Sequence, residues 1–233
     1  MQFVIDNSIL AKFPEVKIGV LVAKNIDNSG SDAKLTSELR SVEEDVRSKL
    51  DVQTLVDNSK ISDWRKAYSA FGSKPKTYKN SVEALIRRVL KGDELPDINK
   101  IVNIYNLISL KHILPAGGDD IDKVDGDVTL TIAKGGENFT LLGSLQEEVA
   151  DEGEVIYQDN KEVLCRRWNW RECDKTKMTV ETKNVCIVLE ALESTTKEEL
   201  SVALEELKEK VETFCKGETE TFFLDKEKNK INF

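Results

Sequence analysis

Residues 96–120 read PDINKIVNIYNLISLKHILPAGGDD, an apolar segment that ends in a proline and two glycines. Its isoleucine, valine and leucine residues recur at helical spacing, which predicts a buried helix. Asn99, Asn103 and Asn106 follow one another at intervals of four and three residues, so they share one stripe of that helix. Buried amides need partners, and this stripe either satisfies nearby backbone groups or lines a polar pocket.

The glycines that follow the helix are predicted to form a turn. Pro115 stops the helix, and Gly117 and Gly118 carry no Cβ, so their backbone can approach a ligand closely. We expect this turn to place backbone N–H groups beside a site.

The rest of the chain predicts an α+β fold, in which sandwich-like sheets of the C-terminal half are covered by helices of the N-terminal half. Short β-branched runs predict strands, and a strand at 128–133 followed by a glycine-rich turn predicts a hairpin with 139–142. We expect a single domain over 1–233, helix-rich over 1–115, β-rich over 116–195, and ending in a helix and strand over 196–233.

Composition excludes several classes of site. The 233 residues contain one histidine and four cysteines without a C-x-x-C pair, which argues against a zinc site and a disulfide framework. We expect no metal and no cofactor. No apolar run is long enough to cross a bilayer, so we expect a soluble, cytoplasmic protein.

The net charge of −9 is unevenly distributed. Residues 60–91 hold nine basic and two acidic residues, whereas 193–220 hold nine acidic and four basic residues. A local excess of cations is typical of a surface for a polyanion, although charge runs also simply solvate a helix.

The run Cys165-Arg-Arg-Trp-Asn-Trp-Arg171 combines aromatic rings with guanidinium groups. This composition suits stacking on bases and pairing with phosphates, and it suits a structural cation–π cluster equally well.

Glu190 is a single carboxylate in the apolar strand VCIVLEA. A carboxylate in such a strand must be paired, protonated or facing a cavity. The alternatives are a site residue and a structural ion pair with an arginine such as Arg166.

One ordered set of motifs resembles a known family. Leu95-Pro96-x-Ile98-Asn99-x-x-Val102-Asn103-x-x-Asn106 is similar to the R-P-I-N-N-V-V-D-x-T-N segment of the B3/B4 editing domain in the phenylalanyl-tRNA synthetase β-subunit. The resemblance extends over about residues 60–195 and is closer to free-standing B3/B4 proteins than to a whole synthetase. It implies a three-layer fold.

The resemblance also implies a function, because family members hydrolyse wrongly attached amino acids from tRNA. Asn106 and Glu190 correspond to an asparagine and a glutamate of the family's editing pocket. The Trp168–Trp170 turn lies where the family has a glycine-rich turn, and Gly117 stands where the family has a histidine.

We therefore expect a stand-alone deacylase that edits misacylated tRNA in trans. The alternatives are a non-catalytic tRNA or amino-acid binding module and an interaction protein with an acidic C-terminal helix. The expected catalytic residues are Glu190, Asn106, Gly117 and Gly118, and the expected substrate-binding residues are Asn103, Trp168, Asn169 and Trp170. The expected contacts to the aminoacylated tRNA are Lys76, Lys79, Arg87, Arg88, Lys91, Arg166, Arg167 and Arg171.

Overall fold

Two β-sheets and a set of helices make up the fold in the computed structural model, which describes residues 1–233. The helices are α1 (Asn7–Lys12), α2 (Ala33–Lys49), α3 (Ser59–Ala70), α4 (Ser81–Leu90), α5 (Lys100–His112) and α6 (Lys197–Cys215). The strands are β1 (Gln2–Ile5), β2 (Lys17–Lys24), β3 (Ala116–Asp120), β4 (Val128–Ile132), β5 (Asn138–Thr140), β6 (Glu147–Val149), β7 (Val155–Gln158), β8 (Val163–Arg166), β9 (Arg171–Glu172), β10 (Val185–Ala191), β11 (Glu218–Leu224) and β12 (Lys230–Asn232).

The strands form a six-stranded sheet in the order β12-β1-β4-β7-β8-β9 and a four-stranded sheet in the order β11-β2-β10-β3. A short ribbon joins β5 to β6. All pairs are antiparallel except β1 with β4. The predicted α+β class is confirmed.

Alternation along β2 shows how the layers are stacked. Val20 and Val22 belong to the hydrophobic core that also contains residues of the six-stranded sheet. Leu21 and Ala23 point the other way, into a core shared with α2, α4, α5 and α6. The four-stranded sheet is thus the middle layer, with a sheet on one face and helices on the other, and the expected three-layer sandwich is present.

The decisive stretch 96–120 forms its helix as predicted. The Asn99 side chain accepts the Val102 N–H as an N-cap, and the helix ends where Ile113 adopts a left-handed φ of 53°. Ile104 and Ile108 of α5 are fully buried in the core beneath the middle sheet.

Two local predictions were wrong. The Pro115–Gly118 segment is not a turn, because Ala116–Asp120 pairs with β10 as an edge strand. A Cβ on Gly118 would lie 2.4 Å from the Cys186 carbonyl oxygen, so the glycine permits close pairing rather than a reversal of direction. The predicted hairpin of 128–142 does not form either, since β4 pairs with β1 and β7, and β5 pairs with β6.

None of the six helices combines the length and the hydrophobicity that crossing a membrane requires.

Candidate functional site

Glu190 lies between the two sheets. It follows Cys186 and Val188 on the face of β10 that is turned towards the six-stranded sheet, and it is only 1% exposed. A carboxylate at such a position needs compensating donors, because its desolvation is costly.

Three neutral side chains provide those donors. Tyr157 Oη and Trp168 Nε1 donate to Glu190 Oε1 over 2.5 and 2.7 Å, and Asn169 Nδ2 donates to Oε2 over 2.7 Å. Tyr68 of α3 in turn donates to Asn169 Oδ1 over 2.8 Å. Burial raises the pKa of Glu190 to about 7, and the three hydrogen bonds limit the rise. The contact with Arg166 that we had considered is absent.

The turn after β8 holds two of these donors in a strained backbone. Arg167 and Trp168 have φ values of 47° and 69°, in the left-handed region that glycine adopts without penalty. This is the segment at which the resembled family carries its glycine-rich turn. Strain of this kind persists where the surroundings enforce it, and here Trp168 is fully buried against Trp64 and Phe13.

The cavity next to the Glu190 carboxylate is small, with a volume of about 20 Å³. This is room for about one water molecule and not for an amino-acid side chain.

A larger cleft begins on the other side of Gly118 and Glu172, where the edge strands β3 and β9 of the two sheets approach each other. Its volume is about 230 Å³. The residues that line it are Ile98, Val102, Tyr105, Gly118, Asp119, Leu142, Glu172, Cys173, Thr176, Lys177 and Met178. It is apolar at the α5 side and acidic at its inner end.

Glu172 is the group of this cleft whose charge has no compensating partner. It stands opposite Cys165 in the β8–β9 pair and forms no ion pair. A Cβ on Gly117 would lie 2.7 Å from Glu172 Oε1, so the carboxylate is packed against the bare backbone of β3. Burial, with the negative charges of Asp119 and Glu190, raises its pKa well above the usual range, and the Cys165 thiol opposes this only weakly.

Asp119 lies beside Glu172 and is partly compensated. Its Oδ1 accepts a hydrogen bond from Thr176 Oγ1. Burial raises its pKa above the ordinary value for an aspartate. The inner end of the cleft therefore presents two carboxylates with raised proton affinity.

Gly118 offers a backbone donor to the same cleft. Glu190 N–H bonds to Pro115 O, which makes 188/117 and 186/119 the hydrogen-bonded pairs of the β3–β10 ladder. Gly118 lies between these pairs, so its N–H points away from β10, as does that of Asp120, which donates to Thr176 O. Of the two glycines predicted to approach a ligand, Gly118 has its N–H directed towards the cleft.

The asparagine stripe of α5 serves mainly the helix itself. Asn103 accepts the Ile98 N–H and donates to Asp97, so its amide completes the entry to the helix. Asn106 is buried and lines neither the Glu190 cavity nor the cleft. A direct role for Asn106 in catalysis stays a prediction.

Arg166 and Arg167 are engaged inside the protein. Both are more than 90% buried, and both pair with Asp151 and Glu154, while Arg166 also reaches Glu148 at 3.0 Å. These guanidinium groups are neutralised by carboxylates of the 147–154 segment, so their charge is not free for a phosphate.

The other predicted cations lie at the surface. Lys76, Arg88, Lys91 and Arg171 are exposed, and Lys79 is partly so, whereas Arg87 pairs with the buried Glu83 at 2.8 Å. Trp170 is partly exposed and packs edge-on against Tyr78, with the Arg171 guanidinium 5.1 Å from its ring centre.

Sequence reasoning missed Glu172, Asp119 and Tyr157. Glu172 has no apolar strand around it to mark it as buried, and Tyr157 reads as ordinary core. The placement of Asp119 directly after Gly118 was the only available signal. No group of three or more histidine, cysteine, aspartate or glutamate residues is arranged to hold a metal ion.

Comparisons with known proteins found a relative by sequence, a match among solved structures and a family model. Over 70 residues, 30% of this chain and 9% of the relative, the chain is 31% identical to the phenylalanine–tRNA ligase beta subunit of Fusobacterium nucleatum. An N-terminal fragment of the phenylalanyl-tRNA synthetase beta-subunit from Pyrococcus horikoshii matches 96% of this chain and 53% of its own, with 12% identity and a TM-score of 0.47. Residues 63–220 match the family model of the B3/4 domain, and the chain therefore belongs to the B3/4 domain family.

Proposed function

We propose that this chain is a stand-alone deacylase that hydrolyses the ester of misacylated tRNA in the cytoplasm. Membership of the B3/4 family supports the proposal, as does similarity to proteins named as beta subunits of a tRNA ligase. The chain spans only part of those relatives, so their substrates enter here as a proposal.

The observation that carries the proposal is the uncompensated Glu172 carboxylate beside the outward-facing N–H of Gly118. A base and an oxyanion donor are the two groups that ester hydrolysis needs most. They share a cleft of about 230 Å³, slightly below the usual volume of ligand pockets and suited to a small group such as an aminoacyl moiety.

The reaction balances with these groups. In its ionised form, Glu172 takes a proton from a water molecule as the water oxygen attacks the ester carbonyl carbon, and the raised pKa makes this carboxylate a stronger base. The oxyanion that forms accepts a hydrogen bond from Gly118 N–H. Collapse breaks the bond to the ribose oxygen, and Glu172 returns the proton to that oxygen, releasing amino acid and tRNA. An aminoacyl ester is reactive, so positioning of the water contributes much of the rate.

The sequence-predicted residues take supporting places in this proposal. Glu190 fixes Trp168 and Asn169 behind the cleft rather than contacting the ester. Trp170, Lys76, Lys79, Arg88, Lys91 and Arg171 remain the proposed contacts for the tRNA.

The test is a deacylation time course on a panel of correctly and incorrectly charged tRNAs. We expect the wild-type protein to release the amino acid from one mischarged tRNA. Glu172→Gln should lower the rate of this release about 100-fold or more, which is the usual contribution of a general base. Glu193→Gln makes the same chemical change at an exposed position and serves as the control. A Glu172→Gln variant as fast as wild type would remove Glu172 from the mechanism.

The second candidate is a non-catalytic module that binds tRNA or an amino acid. Two features of Glu190, the residue that corresponds to the glutamate of the family's editing pocket, favour this candidate. Its hydrogen bonds are all satisfied, and the cavity beside it, of about 20 Å³, is too small for a ligand. Measurable tRNA binding without release from any charged species would establish this alternative.

A further inference from the structure

A broad groove lies on the outer side of α3 and the loop that follows it. Its volume is about 1210 Å³, several times that of the cleft at Glu172. Arg65 and Lys66 line it from α3, and Lys74 and Lys76 line it from the loop.

The charge of this groove is opposite to that of the whole chain. Four of its 12 lining residues are cations and none is a carboxylate, in a protein whose net charge is −9. Lys74 and Lys76 are exposed and form no ion pair, and Lys66 is 75% exposed with Asp63 at 3.4 Å. Arg65 is paired with Glu83 at 2.9 Å, so Lys74 and Lys76 supply the unpaired charge, and the exposed Lys66 adds a charge that is shared with Asp63.

A buried guanidinium lies beneath the rim. Arg167 Nη1 donates to the hydroxyl of Ser73, a lining residue, over 3.2 Å. Arg167 is 92% buried, its Nε has no hydrogen-bond partner, and its guanidinium stacks 3.9 Å above the Tyr78 ring. This cation holds Ser73 and Tyr78 in place at the end of the groove.

The lining favours a hydrated polyanion over other occupants. Val56 and Ala70 are its only two hydrophobic side chains, so it has no apolar floor for a peptide helix or a lipid chain. The hydroxyls of Ser62 and Thr77 are neutral groups of the kind that contact phosphate oxygens. Its volume of about 1210 Å³ exceeds what a single phosphate ion would fill.

We infer that this groove binds successive phosphates of an RNA backbone through Lys66, Lys74 and Lys76. The choice of RNA as the occupant rests on the proposed function. The helix that lines the groove also contacts the Glu190 network, because Tyr68 on the opposite face of α3 donates to Asn169, which donates to Glu190.

The test measures binding apart from catalysis. Fluorescence anisotropy with labelled, uncharged tRNA is recorded between 50 and 200 mM salt (roughly the range over which phosphate contacts are lost). The triple variant Lys66→Gln, Lys74→Gln, Lys76→Gln is compared with the control Lys12→Gln, Lys24→Gln, Lys228→Gln, which removes three exposed lysines outside the groove.

We expect the groove variant to bind tRNA at least about tenfold more weakly at low salt. The magnitude of its slope of log K against log salt should fall by about two to three. The control variant should keep the wild-type slope. Equal losses in both variants, or none in either, would overturn the inference. Retained wild-type tRNA affinity in the groove variant, with lost binding to phosphatidylserine vesicles, would assign the groove to a membrane and also overturn it.

The outcome is distinguishable from that of the proposed function. A groove-dependent tRNA complex that releases no amino acid supports the groove and rejects catalysis. Deacylation that the groove variant retains in full, with unchanged binding, supports catalysis and rejects the groove.

Discussion

Glu190 and Glu172 are two carboxylates in one region with opposite surroundings. Glu190 is nearly inaccessible and accepts three hydrogen bonds from Tyr157, Trp168 and Asn169. Glu172 is partly buried, has no cation beside it, and has the Cys165 thiol as its only hydrogen-bonding side chain. Burial raises the pKa of both.

The difference in hydrogen bonding separates a carboxylate that stabilises the fold from one that is available for a reaction. A buried polar group whose hydrogen bonds are complete is explained by the fold, because its desolvation is offset. A group left uncompensated costs stability, and such costs cluster where a ligand or a reaction uses the group. On this argument we propose that Glu190 belongs to the architecture and Glu172 to the chemistry.

The largest expected effect is a difference in the free energy of unfolding between variants of Glu190 and variants of Glu172. Glu190→Ala leaves three buried donors without an acceptor, and at about 1–3 kcal/mol for each unsatisfied group we expect a loss of at least about 3 kcal/mol. Glu172→Ala removes an uncompensated carboxylate and should change the free energy of unfolding by less than about 1 kcal/mol. Urea unfolding monitored by tryptophan fluorescence measures both. Equal losses would mean that Glu172 has a structural partner.

The pH dependence of stability gives the next largest effect. The pKa of Glu190 is about 7 in the folded protein against an ordinary value of 4.5, so the folded state binds the proton more tightly. Stability from this group is complete below pH 4.5 and declines as the pH rises to about 7, by about 3 kcal/mol in all.

Glu190→Gln tests this sign. The amide oxygen can keep the bonds from Tyr157 and Trp168, because both donate to the same oxygen. We expect the curve of unfolding free energy against pH to flatten between pH 4.5 and 7 in this variant. An unchanged slope would show that Glu190 keeps its ordinary pKa and that Glu172 and Asp119 supply the decline.

Part of this site could be predicted from the sequence, and the reasons can be identified. The α5 helix and the β10 strand were predictable because their apolar spacing is local, and Glu190 stood out as a charge within such a strand. Glu172 was not visible, since its strand has two residues and its surroundings come from β3, far away in sequence.

The errors have the same origin. Gly117 and Gly118 were predicted as a turn because glycine is rare in strands, yet the need for glycine at 118 comes from the Cys186 carbonyl on the neighbouring strand. Arg166 and Arg167 were expected to contact tRNA or to form a structural cluster, and the choice depends on carboxylates between β6 and β7 whose position only the tertiary structure reveals.

The two glycines of β3 provide a smaller and sharper comparison. Gly118→Ala would place a Cβ 2.4 Å from backbone, which cannot move freely, and we expect a loss of about 1–3 kcal/mol. The Cβ of Gly117→Ala meets only the end of the Glu172 side chain, at 2.7 Å. Gly117→Ala should therefore fold within about 1 kcal/mol of wild type and lose deacylation, because Glu172 is displaced. Full activity in this variant would contradict the placement of the base.

The smallest effect distinguishes the two tyrosines of the Glu190 network. Tyr157→Phe removes one donor to Glu190, and Tyr68→Phe removes a donor to Asn169 one bond further away. Each should cost about 1 kcal/mol, the net value of a typical hydrogen bond. Only Tyr157→Phe should raise the pKa of Glu190 further, because the Tyr157 hydroxyl stabilises the charged carboxylate. Unfolding followed across pH would then show the decline of stability shifted to higher pH in Tyr157→Phe and unshifted in Tyr68→Phe. A shift of equal size in both variants would mean that Asn169 transmits the change, and the Glu190 cluster would then behave as one cooperative unit rather than three separate bonds.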